Sequence, residues 1–481
     1  MSKLRNALVY SILSQYSIQF ISIISIAILA RLLTPAEIGV FAIASSLTFL
    51  ATELRGLGVG QYLIREKEID NSKIRSATGL MICMSWGLAA LIAASALSVA
   101  DFYQQSALAI ILWIMVPAFI LAPFTGIPSA LLKRNLHFKE IFIVRLLASI
   151  ARSGSTIIYV LLGYSYYGLA LGILTGAIVE CLSMNYYRPA GTPWLPSFSG
   201  IKRSMIRFGM YVSGGNLLQQ FSQSIPDLVL GKVTTMTEVG LFSRGLGLIL
   251  FINKILVLAV KPVVLPHLSK VNREGDSVAD AYLNAIVLQS AFCVPVYAAI
   301  NLVSFPVIRA MFGDQWDFAV PIASILALWA IFQSIHYFSS QALLAVKKEK
   351  VMFSKEVAIF TARLVAIVCA APYGLEAVAW AMVISGVVEF VINTYVVKMV
   401  LGLKVHQQII ALLPTLFVTL ISWLSLLFLT SIYDIEGNNA WLSLAVIAPY
   451  AIVVWLLSLW LVKHQAWPII VQMAQKLFIK T

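Results

Sequence analysis

Residues 34–41 read TPAEIGVF, and residues 235–242 read TMTEVGLF. Thr34, Glu37, Gly39 and Phe41 recur as Thr235, Glu238, Gly240 and Phe242, with conservative exchanges at Ile38/Val239 and Val40/Leu241. Working backward at the same offset of 201, Tyr10 meets Tyr211, Gln15 meets Asn216, Gln19 meets Gln220, Phe20 meets Phe221, Ile24 meets Ile225 and Arg31 meets Lys232. Apolar positions match readily by chance, so the polar pairs carry the comparison. A second repeat places GAIVECLSMNYY (176–187) on SGVVEFVINTYV (385–396), Glu180 on Glu389, at an offset of 209. The chain therefore reads as two copies of one unit with loops of altered length. Each copy needs the same turn between its first two helices.

The solvent of that unit follows from composition. Of 481 residues, 60% are hydrophobic and 11% charged, where a soluble protein carries about 25% charged residues. So much apolar side chain has to face lipid. Fourteen apolar stretches are long enough to cross a bilayer: 9–33, 38–63, 77–99, 107–131, 141–162, 168–187, 205–230, 238–262, 281–303, 318–345, 352–372, 375–397, 408–430 and 440–462. The first is too long for a signal-peptide core and is read as a retained span. Cys83, Cys181, Cys293 and Cys369 fall within apolar stretches without metal-binding spacing and are expected to be small core residues.

Loop charge sets the orientation. With the N-terminus inside, cytoplasmic segments and the span ends beside them, Arg207 and Lys355 included, hold 24 of the 34 Lys and Arg residues, and the outer ends hold Arg31, Lys232 and Arg309. Both termini are thereby expected in the cytoplasm, and the net charge of +13 is a topology signal requiring no nucleic-acid partner. Residues 188–204 (RPAGTPWLPSFSGIKRS) read as a cytoplasmic linker. The expected fold is an all-α polytopic membrane protein of about 14 spans. An N-lobe (1–187) and a C-lobe (205–398) hold six helices each, followed by spans 13 and 14 with a cytoplasmic tail (399–481). Both copies start on the same side, a parallel repeat of the kind that places substrate between halves in transporters.

Two stretches carry a family resemblance: ARLLTPAEIGVFAIASSLTFLATELRGLGVGQYLIREKEI (30–69) and FGMYVSGGNLLQQFSQSIPDLVLGKVTTMTEVGLFSRG (208–245). They resemble the polysaccharide transporters of the MOP superfamily, the Wzx-type flippases near colanic-acid and succinoglycan export. The resemblance implies alternating access in the bacterial inner membrane and transfer of an undecaprenyl-pyrophosphate-linked oligosaccharide between leaflets. It also implies membrane lipids, a polysaccharide polymerase and glycosyltransferases as partners. It implies no catalytic signature and no cofactor.

Ionisable residues inside spans cost about 2.5–3.5 kcal/mol each and are functional candidates by default. Span five carries Arg145 and Arg152 on one face, span eleven carries Arg363 at similar depth, span eight carries Arg244, Lys254 and Lys261, and span two carries Arg55 beside Glu53. A cationic cavity would suit a pyrophosphate headgroup, because Arg matches phosphate oxygens in pairs. The alternative is ion pairing with Glu180, Glu356 or Glu389, which only neutralises buried charge. Span seven bears a polar stripe, Ser213, Asn216, Gln220, Gln223 and Asp227, echoed in span one by Gln15, Gln19 and Ser22. It either lines a wet path for sugar hydroxyls or bonds neighbouring helices. Asp227, Glu180 and Glu389 are the candidates for a coupling ion. His336 is the one histidine inside a span and reads as a satisfied polar group.

Two other functions fit less well. A MATE-type cation exporter would want acids to dominate its cavity. A glycan polymerase or ligase would need a sizeable outer loop, and neither HExxH, P-loop nor GxSxG occurs.

Overall fold

A computed structural model describes residues 2–56, 58–65, 69–189, 192–193, 195–198, 203–258, 261–434 and 437–478. The chain divides into two compact units, 1–240 and 241–481.

The first unit holds α1 (Ser2–Leu32), α2 (Pro35–Leu54), α3 (Val59–Arg65), α4 (Asn71–Tyr103), α5 (Ala107–Arg134), α6 (Phe138–Tyr159), α7 (Ser165–Tyr186) and α8 (Arg203–Val233), and ends in the first turn of α9 (Met236–Leu258). The second continues through α10 (Lys261–Glu274), α11 (Val278–Phe312), α12 (Val320–Ile335), α13 (Ser339–Ala345), α14 (Glu349–Ala370), α15 (Leu375–Leu401), α16 (Val405–Ile432), α17 (Ala440–Leu461) and α18 (Ala466–Phe478). Every expected span has a helical counterpart. Eleven segments among the described residues are long and apolar enough to cross a membrane, one of them, 138–186, comprising both α6 and α7. Spans seven and eleven, α8 and α14, are not among these eleven. The first carries the polar stripe, the second Lys355, Glu356 and Arg363.

Span two is two helices, not one. The GLGVG run (56–60) breaks it, with Gly58 at φ 62°, a conformation glycine reaches without steric cost. Arg55 thereby becomes the C-cap of α2. The short link between spans five and six is a π-turn, 160–164, closed by Gly163 at φ 90°.

The repeated octapeptide forms two matching helix starts. Thr34 N and Oγ1 donate to Glu37 Oε2 at 2.7 and 2.9 Å, and Glu37 N donates back to Thr34 Oγ1 at 3.4 Å. Thr235 and Glu238 repeat this at 3.0, 3.0 and 3.3 Å. Both are capping boxes, which satisfy otherwise orphaned backbone donors. Ser165 Oγ also donates to Glu37 Oε1. The glycines of the motif do something the turn does not require. A Cβ on Gly39 would collide with the Met236 carbonyl, and one on Gly240 with the Pro35 carbonyl. The two helix starts cross backbone to backbone.

Within the first unit, α2 lies against α5, α7 and α8, and α1 against α6. In the second, α11 contacts α12, α16 and α17, and α12 and α14 both lie on α15. Trp316, Trp329, Tyr282 and Tyr297 are fully buried there. α16 shows the opposite character: Leu416, Phe417, Leu420, Leu424 and Phe428 are all at least half exposed. Such a face is stable only with lipid as its solvent. The cysteines split the same way, correcting the expectation of four core residues. Cys181 and Cys293 are buried, whereas Cys83 and Cys369 are exposed, since a thiol facing lipid needs no cover. After α17, His464 accepts from Ala466 N and hydrogen-bonds Thr415 Oγ1, both at 3.0 Å. Its burial lowers its proton affinity below that of a free imidazole.

Candidate functional site

The site begins with three glycines. Gly168, Gly172 and Gly176 are four apart and form one bare stripe along α7, the small-residue pattern that lets membrane helices approach closely. α6 fills it. A Cβ on Gly168 would sit 3.0 Å from Val160 Cγ2, one on Gly172 would sit 2.8 Å from Thr156 Cβ, and one on Gly176 would sit 2.8 Å from Arg152 Cβ and 3.1 Å from its Nε. Thr156 Oγ1 donates to Arg152 O at 2.7 Å. The Arg152 side chain thus lies across Gly176 and into the space beyond.

That space is a cavity of about 250 Å³ among α2, α5, α6 and α7, far more than the 10–15 Å³ that one water needs. Thr48, Thr52 and Arg55 come from α2, Thr125 from α5, Arg152 from α6 and Glu180 from α7, with Met115 and Phe119 as apolar wall. The α2 residues follow from spacing: 48, 52 and 55 share one helix face. Arg152 is exposed to the cavity, and Arg55 and Glu180 are half-buried. Glu53 and Glu180 are the acidic neighbours of Arg55, and Glu180 is also the acidic neighbour of Lys133, beside Arg145. Neither Arg152 nor Arg55 closes an ion pair within 4 Å among the described residues. The cavity holds unspent positive charge.

The repeat counterpart in the second unit is closed. Arg363 is the fifteenth residue of the 22-residue α14, as Arg152 is of the 22-residue α6. Its Nη2 donates to Glu389 Oε2 at 2.6 Å, its Nε to Ser385 Oγ at 3.4 Å, and its guanidinium lies 5.3 Å from the Trp329 ring centre. Arg363 is 2% exposed. Beside it is a residue that the loop-charge count takes with the cytoplasmic end of span eleven. Lys355, 5% exposed, donates to Ser339 Oγ and Ser340 Oγ, both at 2.9 Å, and pairs with Glu356 at 3.0 Å. Its proximity to a span end concealed that it points inward.

The remaining candidates scatter. Arg145 is exposed and does not line the cavity. Arg244 lies over the Phe312 and Trp316 rings, at 5.0 and 4.8 Å, with its Nε unpartnered. Lys254 is exposed, Gln15, Gln220 and Gln223 are half-buried, and Gln19 is buried. The side chains of Asn216 and Lys261 lie outside the described residues. Asp227 is buried and accepts from Ser46 Oγ at 3.1 Å, while its Oδ1 has no partner. His336 is held at both nitrogens, by Tyr282 Oη at 2.8 Å and Thr394 Oγ1 at 3.0 Å. No group of three or more His, Cys, Asp or Glu with metal-ligating geometry occurs among the described residues.

Fold and exposed apolar faces together define a multi-pass α-helical membrane protein. The solved lipid II flippase MurJ, in an inward closed conformation, superposes with a TM-score of 0.77 over 94% of this chain and 98% of its own, at 16% identity. An inward-facing multidrug resistance MATE family transporter of the MOP superfamily gives 0.60 over 81% and 98%, at 14% identity. Residues 28–321 match the family described as polysaccharide biosynthesis protein, and the chain belongs to that family. Among its relatives are the teichuronic acid biosynthesis protein TuaB of Bacillus subtilis, 22% identical over 85% of both chains, and the lipopolysaccharide biosynthesis protein WzxC of Escherichia coli, 20% identical over 83% of both.

Proposed function

We propose that this protein is a flippase for a lipid-linked oligosaccharide, carrying undecaprenyl-pyrophosphate-linked repeat units across the bacterial inner membrane for an exopolysaccharide, capsule or O-antigen. Family membership and a fold shared with a lipid II flippase support the class. One observation supports the cargo: two arginines, Arg55 and Arg152, face a polar cavity without bonded counter-ions. A guanidinium that lines a cavity and is left unpaired is a strong site for phosphate oxygens. A cation exporter of the MATE type would meet repulsion there.

In this reading both termini are cytoplasmic, and the lobes 1–187 and 205–398 alternate access around the linker 188–204. Polymerase and glycosyltransferases act on the same intermediate before and after transfer. Glycan export by cells carrying Arg152→Ala at matched protein level tests the cargo reading. Losing a charge-assisted hydrogen bond costs about 1.5–3 kcal/mol, so export should fall roughly tenfold to a hundredfold. Arg152→Lys should recover part of it, a point charge replacing a two-pronged donor. Undiminished export by Arg152→Ala would remove Arg152 from the cargo site.

A further inference from the structure

We infer that Glu180 is an exchangeable counter-ion for Arg152, a positioning residue that closes on the arginine when the cavity is empty and gives way to an anionic cargo group. The inference rests on the reading of the cavity as the cargo's phosphate site.

The repeat carries the argument. α6 with α7 and α14 with α15 are the same two-helix element, each placing an arginine as the fifteenth residue of its first helix and a glutamate as the sixteenth (Glu180) or fifteenth (Glu389) residue of its second. In the α14–α15 copy the two side chains meet at 2.6 Å and the arginine is buried. The element therefore has the reach to close such a pair. In the α6–α7 copy the same residues stand apart at the wall of one cavity. The Glu180 carboxylate makes no ion pair or hydrogen bond among the described residues, and Arg152 is exposed. The second copy has its charge quenched by the buried pair; the first keeps both partners available.

Charge number gives the open copy its use. Arg55 and Arg152 line the cavity with Glu180, Lys133 stands near Glu180, and Glu53 is a second acid beside Arg55. Two acids cannot neutralise three cations, so a phosphate-bearing group is attracted. Yet an arginine with no competitor at all would hold that group too well to release it. Glu180 competes for Arg152 from the wall of the same cavity and lowers affinity on the way in and on the way out. Tight binding in every state does not give turnover; a carrier needs a site that can be emptied.

Titration of inorganic pyrophosphate into the purified full-length protein in lipid nanodiscs tests this by calorimetry. A partly exposed ion pair is worth about 0.2–1 kcal/mol. Glu180→Gln, which keeps shape and loses charge, should bind pyrophosphate up to about fivefold tighter and transport more slowly at saturating cargo. Glu180→Asp should stay near the wild type. Arg152→Gln should weaken binding at least about tenfold, and in that background Glu180→Gln should add nothing. If Glu180→Gln leaves affinity unchanged or lowers it while Arg152→Gln still abolishes binding, the counter-ion role is wrong and the cavity stands. If the Glu180→Gln gain persists without Arg152, the glutamate acts on the cavity at large and the pairing is wrong. If pyrophosphate binds none of these proteins, the cavity reading fails as well.

Discussion

Gly39→Ala and Gly240→Ala should each destabilise the protein by about 3 kcal/mol or more. A methyl group there has nowhere to go: it meets a main-chain carbonyl, of Met236 or of Pro35, and each glycine's Cβ would also sit about as close as 3.0–3.1 Å to the other's backbone nitrogen. Backbone cannot rotate aside as a side-chain tip does. The two helix starts would have to separate, releasing the neighbouring Ser46–Asp227 hydrogen bond and the contact of Ile43 with Gly231 on the same α2–α8 seam. The control is Gly247→Ala on α9, seven residues beyond Gly240, where nothing lies within 4 Å of the added methyl. There, alanine should be neutral or stabilise by up to about 1 kcal/mol through helix propensity. Melting of the purified proteins, followed by fluorescence or by loss of the folded peak on size exclusion, separates the cases. Equal melting temperatures for the Gly39 and Gly247 variants would refute the crossing.

Breaking the Arg363–Glu389 pair should be about as costly. Arg363→Gln leaves Glu389 as an uncompensated carboxylate inside the second unit, and Glu389→Gln leaves the arginine. Removing one member of a buried pair costs about 3–5 kcal/mol, enough to cut abundance severalfold. The double variant removes both charges and keeps hydrogen-bonding groups near Ser385, so level and export should return close to the wild type. The coupling energy from the four proteins is then large and of compensating sign. Independent, additive losses would mean that the 2.6 Å contact carries little energy. Restored level without restored export would assign Arg363 a role in transport itself.

Arg152 and Arg363 mark what could be read before folding and what could not. Both are intramembrane arginines at the same depth of repeated helices, and the sequence presents them as equals. Whether each meets a glutamate on the neighbouring helix depends on how the side chains are disposed there, which periodicity does not encode. Membrane class, span positions and the repeat were legible because they rest on composition and spacing. The octapeptide was legible as a helix start through its Thr and Glu. Its Gly was not legible as a crossing point, since the partner carbonyl lies about 200 residues away in the chain. The inward turn of Lys355 was not legible for a similar reason: a position near a span end fits both a headgroup-facing and a buried hydrogen-bonded side chain, and only Ser339 and Ser340 decide between them. Thr48 and Thr52 could have been found with Arg55 from their common helical face.

The claim that the cavity arginines serve an anionic lipid-linked glycan is tested most directly in proteoliposomes. The purified protein is reconstituted with an undecaprenyl-pyrophosphate-linked oligosaccharide in one leaflet, and its appearance in the other is read by enzymatic access to the glycan. The account predicts transfer faster than in protein-free vesicles, lost in an Arg55→Gln/Arg152→Gln variant that folds normally, and absent for a polyprenyl glycoside lacking phosphate. Equal transfer of the phosphate-free lipid, or undiminished transfer by the double variant, would contradict it.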